Sequence, residues 1–355
     1  MTMFLALKEI RHEKLRYGLI VGMIVLVSYL VFVLSGLAYG LAQQNTQAIS
    51  SWQASKIVLN SDANDSLSQS LLTKKTTDKA KLTQHEAYLG QAGVVAKAKG
   101  QAKLSAQFLG ISQQQFIYRR VKVTSGHKPV TNRQIMVDDS FKTNGYHLGD
   151  RVTLNSTDTT YKIVGFTHNA KLSVAPVIYG TLGTWRTLSH VTSDFQANGI
   201  VTERASFQPK VAGLSTLTMG QFINKLPGYS AQNTTFTFMI GFLMIIAMVV
   251  IAVFLYILTL QKLPNYAVLR AQGIPAKVLV TTTLSQAMLL VVGGLVLGAA
   301  LTLATVLALP AGVPMGFNIP LLAGVTGGIL LTGLVGALIP VKVILNVDPV
   351  SVIGG

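Results

Sequence analysis

Hydrophobic and polar positions follow two different rhythms along the chain, and each predicts a different kind of element. From Tyr17 to Ala42 the residues are apolar or small for 26 positions, without an Asp, Glu, Lys or Arg. At 1.5 Å per residue, a helix of that length extends about 39 Å, beyond the roughly 30 Å hydrocarbon core of a bilayer. A second uncharged stretch lies between Lys225 and Lys262, with its apolar part at about 236–260. A third, of 64 residues, runs from Val278 to Val341. The third is long enough for two crossings, and Pro310, Gly312, Pro314, Gly316 and Pro320 place a tight hairpin in its middle. The pattern therefore predicts four transmembrane helices, at 17–42, 236–260, 278–309 and 318–343, with the hairpin at 310–317. A cleaved signal peptide is the alternative for the first run, but that run exceeds an ordinary h-region and no clear A-x-A site follows it.

Between the first two helices, residues 43–235 change character. Ser66 to His85 is polar with weak helical periodicity, predicting a surface helix and loop. From Gly93 onward, alternation and β-branched residues predict strands at 93–98, 103–109, 116–123, 134–137, 151–154, 161–166 and 176–179. Ser140 to Tyr146 reads as a short helix before the turn Gly149-Asp150. The stretches 42–56 and 220–235 connect this region to the membrane; if helical they form a stalk, which Pro227-Gly228 interrupts. The fold class expected is a membrane α-helical protein with a mixed α/β extracytoplasmic domain inserted between helices one and two.

Composition agrees. Half of the 355 residues are hydrophobic and 12% are charged, about half the share of soluble domains; the mean hydropathy is +0.48. The chain has no cysteine, which excludes disulfides, thiolate metal sites and cysteine nucleophiles. Lys8, Arg11, Lys14 and Arg16 precede helix one, Lys262, Arg270 and Lys277 lie between helices two and three, and Lys342 follows helix four, whereas the hairpin is uncharged. The positive-inside bias places both termini and the middle loop in the cytoplasm and the large domain outside. The net charge of +16 then resides mostly on the outer domain, where it suits anionic lipid headgroups or wall polymers. Nucleic acid is a poor partner, because the basic residues face the wrong compartment.

The chain lacks the signatures of catalysis. It has no Walker A loop, no G-x-G-x-x-G after a strand, no H-E-x-x-H and no G-x-S-x-G. Its six histidines, His12, His85, His127, His147, His168 and His190, do not have metal-ligand spacing. Asp138-Asp139 ends a strand in a turn context, and a structural role suits it. The helices carry no ionisable residue other than Tyr, so a carboxylate relay for protons or sodium is not expected. No catalytic residue and no metal site is assigned, and the energy for any transport must come from elsewhere.

Several motifs together resemble one family over essentially the whole chain. "FLALKEIRHEKLRY" at 4–17 is similar to a cytoplasmic amphipathic elbow (1–16). "SGHKPVTNRQIMVDDSFKTNGYHLGDRVTLNSTDTTYKIVGF" at 125–166 resembles an extracytoplasmic signature, and "LQKLPNYAVLRAQGIPAKVL" at 260–279 resembles a cytoplasmic coupling segment (261–277). "NVDPVSVIGG" closes the chain with a short Asp-Pro ending in the tail 344–355. These are features of permease subunits of MacB/FtsX-type ABC transporters; the short outer domain and Ile-Gly-Gly terminus most resemble heme-efflux permeases of Gram-positive bacteria. Asn265 stands where the family usually has an acidic residue before Tyr266.

The resemblance implies a permease that is not itself an enzyme, in the cell membrane, paired with two copies of a cytoplasmic ABC ATPase and a second permease copy. Tyr266, Leu269 and Arg270, on a short helix stopped by Gly273 and Pro275, are the expected ATPase contacts; an ordinary solvated loop is the alternative. No covalent cofactor is expected, and heme enters as a candidate transported substrate. Trp52, Tyr229 and Met239 are the candidate substrate contacts, with Met244 beside them, Trp52 and Tyr229 matching aromatic positions of the heme-efflux permeases. Interfacial anchoring is the stronger reading of the two aromatics, and core filling of the methionines. A further aromatic expected after Gly165 is missing: the residues there are His168, Lys171 and Leu172. Export of heme stands beside two alternatives, an exporter of antimicrobial peptides or drugs, and a subunit that only transmits ATPase strokes to an extracellular wall hydrolase.

Overall fold

The computed structural model describes residues 14–155, 158–310 and 312–346. Most of the expected elbow (1–16) and the Asp-Pro ending lie outside the described residues. The chain divides into two compact units, one made of the residues up to Gly40 with those from Asn233 onward, the other of Leu41–Gln232.

The first unit is helical. Helix α1, Lys14–Trp52, begins here and continues into the second unit. Among the described residues, four helices are long and apolar enough to cross a membrane, and most of each apolar window is not buried by protein. Leu307 and Ile319 are 80% and 83% exposed, an arrangement that suits lipid and not water. Their contacts with one another use small and hydroxyl residues, as membrane helices do. Ser28 Oγ donates to the Gly294 carbonyl at 3.2 Å, and Tyr29 Oη lies 3.2 Å from Thr305 Oγ1. The buried apolar side chains Ile24, Val31, Ile251, Leu290, Val291 and Ile329 fill the space between helices.

Among the described residues the second unit carries thirteen strands. They are Lys56–Asn60 (β1), Leu72–Thr73 (β2), Glu86–Lys97 (β3), Leu104–Ile111 (β4), Ser125–Gly126 (β5), Gln134–Asp138 (β6) and Arg151–Leu154 (β7). Thr160–Thr167 (β8), Lys171–Leu172 (β9), Ala175–Thr181 (β10), Phe195–Ala197 (β11), Gly199–Thr202 (β12) and Leu214–Thr218 (β13) complete them. Between them lie short helices at Lys74–Lys79 (α2), Phe116–Arg120 (α3), Ser140–Thr143 (α4), Leu182–Leu188 (α5) and Met219–Asn224 (α6). The main sheet runs β13-β1-β12-β3-β4-β10-β6-β8-β5, and β7 bridges β8 back to β3. β3, β4, β10, β6, β8 and β7 therefore close into a barrel filled by Val94, Phe108, Ile135, Tyr161, Ile163 and Ile178. The twelve-residue β3 serves both halves of the sheet: Glu86–Leu89 pair with β12, and Gly90–Ala96 with β4.

Two glycines on that sheet are there for one side chain. Gly90 and Gly110 face each other across β3 and β4, and a Cβ on either would run into Trp185 of α5. The indole lies in the slot with its Nε1 donating to the Gln91 carbonyl at 3.2 Å. α5 is started by Thr181, whose Oγ1 accepts from the Thr184 amide.

The four remaining helices belong wholly or mainly to the first unit: Tyr229–Ala271 (α7), Ala276–Ala308 (α8), Ile319–Gly336 (α9) and Leu338–Leu345 (α10). Asn318 caps α9, accepting from the Leu321 amide at 2.8 Å, with Pro320 in the first turn.

Three sequence expectations need correction. Residues 116–123, expected as a strand, begin with helix α3: the Phe-Ile-Tyr run is used to bury Phe116 and Ile117 on one face instead of alternating. The coupling helix is not a separate element, because α7 runs unbroken through Pro264 to Ala271; it stops at Gly273, φ +89°, where Ile274 N–H reaches back to the Leu269 carbonyl. Lys262, read as a loop residue beyond the span, is buried inside α7.

Candidate functional site

A cavity of about 630 Å³ in the α/β unit opens beside the C-terminal turns of α1. That volume is within the range of small-ligand sites, roughly 300–1,000 Å³. One wall is a polar face of the helix: Gln43, Thr46, Gln47 and Ser50 follow the i, i+3, i+4, i+7 spacing that puts them on one side. The opposite wall comes from the end of α3 and the segment after it, with Arg120, Lys122 and Thr124, and from the end of β8 and the loop after it, with Thr167, His168 and Asn169. Tyr179 of β10 also lines it.

The loop that carries His168 is built by the Asp138-Asp139 pair. Asp138, almost wholly buried, accepts from the amides of Ser140 at 3.0 Å and Ala170 at 2.9 Å, which fixes both ends of the turn. Its role is structural, as its turn context implies. Asp139 accepts from Thr124 Oγ1 at 3.0 Å, pairs with Lys142 at 2.6 Å, and has its Oδ2 3.5 Å from His168 Nδ1. A carboxylate at Nδ1 favours the tautomer protonated there and leaves Nε2 as the ring's ligating atom. The following residues dock onto the helix itself. Ser173 and Val174, at φ +49° and +68°, donate their amides to the Asn45 and Gln44 carbonyls. A β-branched residue at positive φ is strained, and the two hydrogen bonds hold it there.

Arg120 closes the bottom of the site. Its guanidinium donates to the Trp52 and Gln53 carbonyls, both at 2.8 Å, and pairs with Glu203. Burial pushes the Tyr179 phenol up to about 12; Ser51 and Trp52 lie near enough to offset part of this, without either making a well-formed hydrogen bond to it. Tyr179 therefore stays a neutral phenol at physiological pH.

Trp52 and Tyr229 belong to one hydrophobic cluster, but not as an open stacking surface. Trp52, the last residue of α1, is completely enclosed among Ile49, Ile57 and Phe222, and the half-buried Tyr229 packs against the same cluster. Trp52 is a core residue behind the cavity, which corrects its assignment as a ring open to substrate. Met239 is exposed on α7, while Met244 is half-buried in the helical core near Gly328. Of the expected ATPase contacts, Leu269 and Arg270 are partly exposed on the last turns of α7, whereas the Tyr266 hydroxyl lies 3.2 Å from Thr283 Oγ1 of α8. Among the described residues no three His, Cys, Asp or Glu side chains gather into a metal site. Sequence reasoning missed the cavity and its histidine; the signal was the acidic pair at the end of β6, whose partner loop lies some 30 residues farther along.

Residues 237–349 match the family described as FtsX-like permease, C-terminal. Over the full length, the chain is 26% identical to proteins provisionally named hemin transport system permease protein HrtB. In Staphylococcus epidermidis strain ATCC 35984 the match spans 353 residues, and in Staphylococcus haemolyticus strain JCSC1435 it spans 362; each covers 99% of both chains. Among solved structures, the periplasmic region of MacB from Actinobacillus actinomycetemcomitans is similar at 13% identity and TM-score 0.35, covering 47% of this chain and 89% of that one. The extracellular domain of the noncanonic ABC-type transporter YknZ from Gram-positive bacteria is similar at 15% identity and TM-score 0.32, covering 43% and 84%. The matched residues hold three of the four apolar helices found among the described residues, so this part of the chain is similar to an FtsX-like permease C-terminal domain, and the chain as a whole is similar to permease subunits of ABC transporters.

Proposed function

We propose that this permease exports heme, or an amphipathic compound close to it, from the membrane, driven by a separate cytoplasmic ATPase. The observation that carries the reading is the full-length match to proteins named for hemin transport. The cavity at His168 adds chemical support. A single histidine with an aspartate behind it is a poor site for a bare ion, but suits an iron that brings four equatorial donors of its own. Lys122 on the same wall suits the propionates of such a ligand. Met239, exposed on α7, is a candidate contact while the compound is still in the bilayer.

In this reading both termini are cytoplasmic and the α/β unit lies outside, as the distribution of Lys and Arg indicates. Four helices are too few to surround a broad path, so two permeases work with two ATPases. Leu269 and Arg270 at the end of α7 receive the stroke, and Tyr266 holds that end of the helix to α8.

The test is a hemin titration of the permease–ATPase complex in lipid nanodiscs, following the Soret band and the ATPase rate, with efflux measured in proteoliposomes. Saturable binding, hemin-stimulated hydrolysis and ATP-dependent efflux are expected. An ATPase rate and Soret band indifferent to hemin would remove heme from the reading and leave the peptide exporter or the force-transmitting subunit.

A further inference from the structure

We propose that Lys262 is a positioning residue that locks three membrane helices into one moving part, so that a push at the end of α7 is carried to α1. The inference rests on the ABC-permease reading and gives a role to a buried cation that the reading does not otherwise use.

Lys262 is 7% exposed. Its Nζ donates to Tyr17 Oη on α1 at 2.9 Å and to Gln286 Oε1 on α8 at 3.4 Å. The ammonium also lies 5.6 Å from the centre of the Tyr17 ring. One turn farther along α7, the Tyr266 hydroxyl meets Thr283 at 3.2 Å. The steps from 262 to 266 and from 286 back to 283 are each about one turn, in opposite directions. Two antiparallel helices are thus joined by two rungs.

Pro264 lies between those rungs. A proline inside a helix has no N–H to give the carbonyl four residues back, here Leu260, and its ring crowds that carbonyl. α7 is weakest at this point. A force applied at Leu269 and Arg270 would be absorbed by bending at the proline unless both sides were braced. Lys262 braces one side and Tyr266 the other, and Lys262 also takes hold of α1 through Tyr17. Stability alone is a weak reason to bury such a residue, because an ammonium is costly to desolvate. Transmission of force is the better explanation for a cation at this junction.

The chain has no cysteine, so spin labels can be placed without background. Leu19→Cys on α1 and Leu260→Cys on α7 are exposed sites for reading the spacing of the two helices in the complex with its ATPase. With Lys262 present, the distance distribution is expected to stay narrow and unchanged between the nucleotide-free and ATP-bound states. Lys262→Met is expected to broaden it on ATP binding and to lower substrate moved per ATP hydrolysed at least several-fold. Lys262→Arg should restore much of the coupling, and Tyr17→Phe should weaken it in part. An unaltered distance distribution and coupling ratio in Lys262→Met overturns the proposal, and so does a lowered melting temperature with normal coupling. If no ATPase associates with the chain, the ABC reading itself falls and the lock with it. A complex that hydrolyses ATP but does not respond to hemin leaves the lock testable through the labels alone.

Discussion

Asp139 Oδ2 stands 3.5 Å from His168 Nδ1 at the edge of the cavity beside α1. The aspartate is itself anchored by Thr124 and Lys142, so the imidazole is backed by a fixed carboxylate. This pair makes the first prediction. His168→Ala should abolish the ligation signature in the Soret spectrum of the hemin-loaded permease. Asp139→Asn keeps the ring but loses the charge behind it, and should weaken binding by roughly 10-fold or more, the usual effect of removing an outer partner of a ligating histidine. His147→Ala, with a ring 78% exposed and no place in the cavity wall, serves as the control for adventitious surface binding. Equal loss in all three variants would mean that the spectrum reports scattered histidines and not this site.

Trp52 is expected to act on folding and only indirectly on substrate. Its indole is fully enclosed in the cluster that joins the end of α1 to β1, α3 and α6. Trp52→Ala should destabilise the α/β unit by about 3–5 kcal/mol, the usual range for deleting a buried large aromatic. Trp52→Phe should keep most of the packing and bind hemin with unchanged affinity. A Trp52→Phe protein that melts normally yet loses hemin would restore the indole to the substrate site.

The parts of this fold that were legible in the sequence are those with a strong local signature. The uncharged runs locate the membrane helices, and the alternation in Arg151–Leu154 and Tyr161–Phe166 locates β7 and β8, because each buries one face in the barrel. Short strands such as β12 and β13 have too few residues to show a period, and the barrel closure depends on pairings between β3 and β7 more than 50 residues apart. Phe116–Arg120 is rich in strand-forming types, yet tertiary burial of Phe116 and Ile117 makes it helical. The same limit hid the site. His168 looked like a missing aromatic until Asp139 was folded beside it, and Lys262 looked like the end of a span because a single charge is normally read that way. Tyr17 and Gln286, on two other helices, help to make its burial tolerable.

The Trp185 slot predicts a large effect from the smallest substitution. Gly90→Ala or Gly110→Ala puts a methyl group into the space of the indole, and both positions lie in paired strands that cannot easily yield. Overpacking of a filled core typically costs about 1–3 kcal/mol. Each variant should melt lower than the unaltered protein, with a changed emission from Trp185. Combining Gly90→Ala with Trp185→Phe, which shortens the ring, should recover part of the loss of Gly90→Ala, because the two sites share one contact. Additive losses in the double variant would show that the glycine is not there for the tryptophan.

Glu86 links the stability of the α/β unit to pH. Its carboxylate is buried at the junction of β3 and β12, and burial alone would raise its pKa. Hydrogen bonds oppose that: Thr83 donates from Oγ1 at 2.7 Å and from its amide at 2.8 Å, Thr202 Oγ1 at 2.8 Å, and Arg204 Nε at 3.0 Å. Together they outweigh burial and hold the group below its ordinary 4.5. A carboxyl depressed in the folded state contributes stability that is fully present above its unfolded pKa and is lost as pH falls through the folded value. At neutral pH, Glu86→Gln should therefore destabilise the unit by roughly 2–3 kcal/mol, the scale of losing charge-assisted hydrogen bonds. The gap between the two proteins should be constant from pH 7 down to about 5 and then narrow toward pH 3, as the unaltered protein loses the same charge. Melting curves of both proteins in nanodiscs across that range are the measurement. A gap that stayed the same width down to pH 3 would mean that Gln disturbs packing around β12 and that the charge of Glu86 is not what holds the strands together.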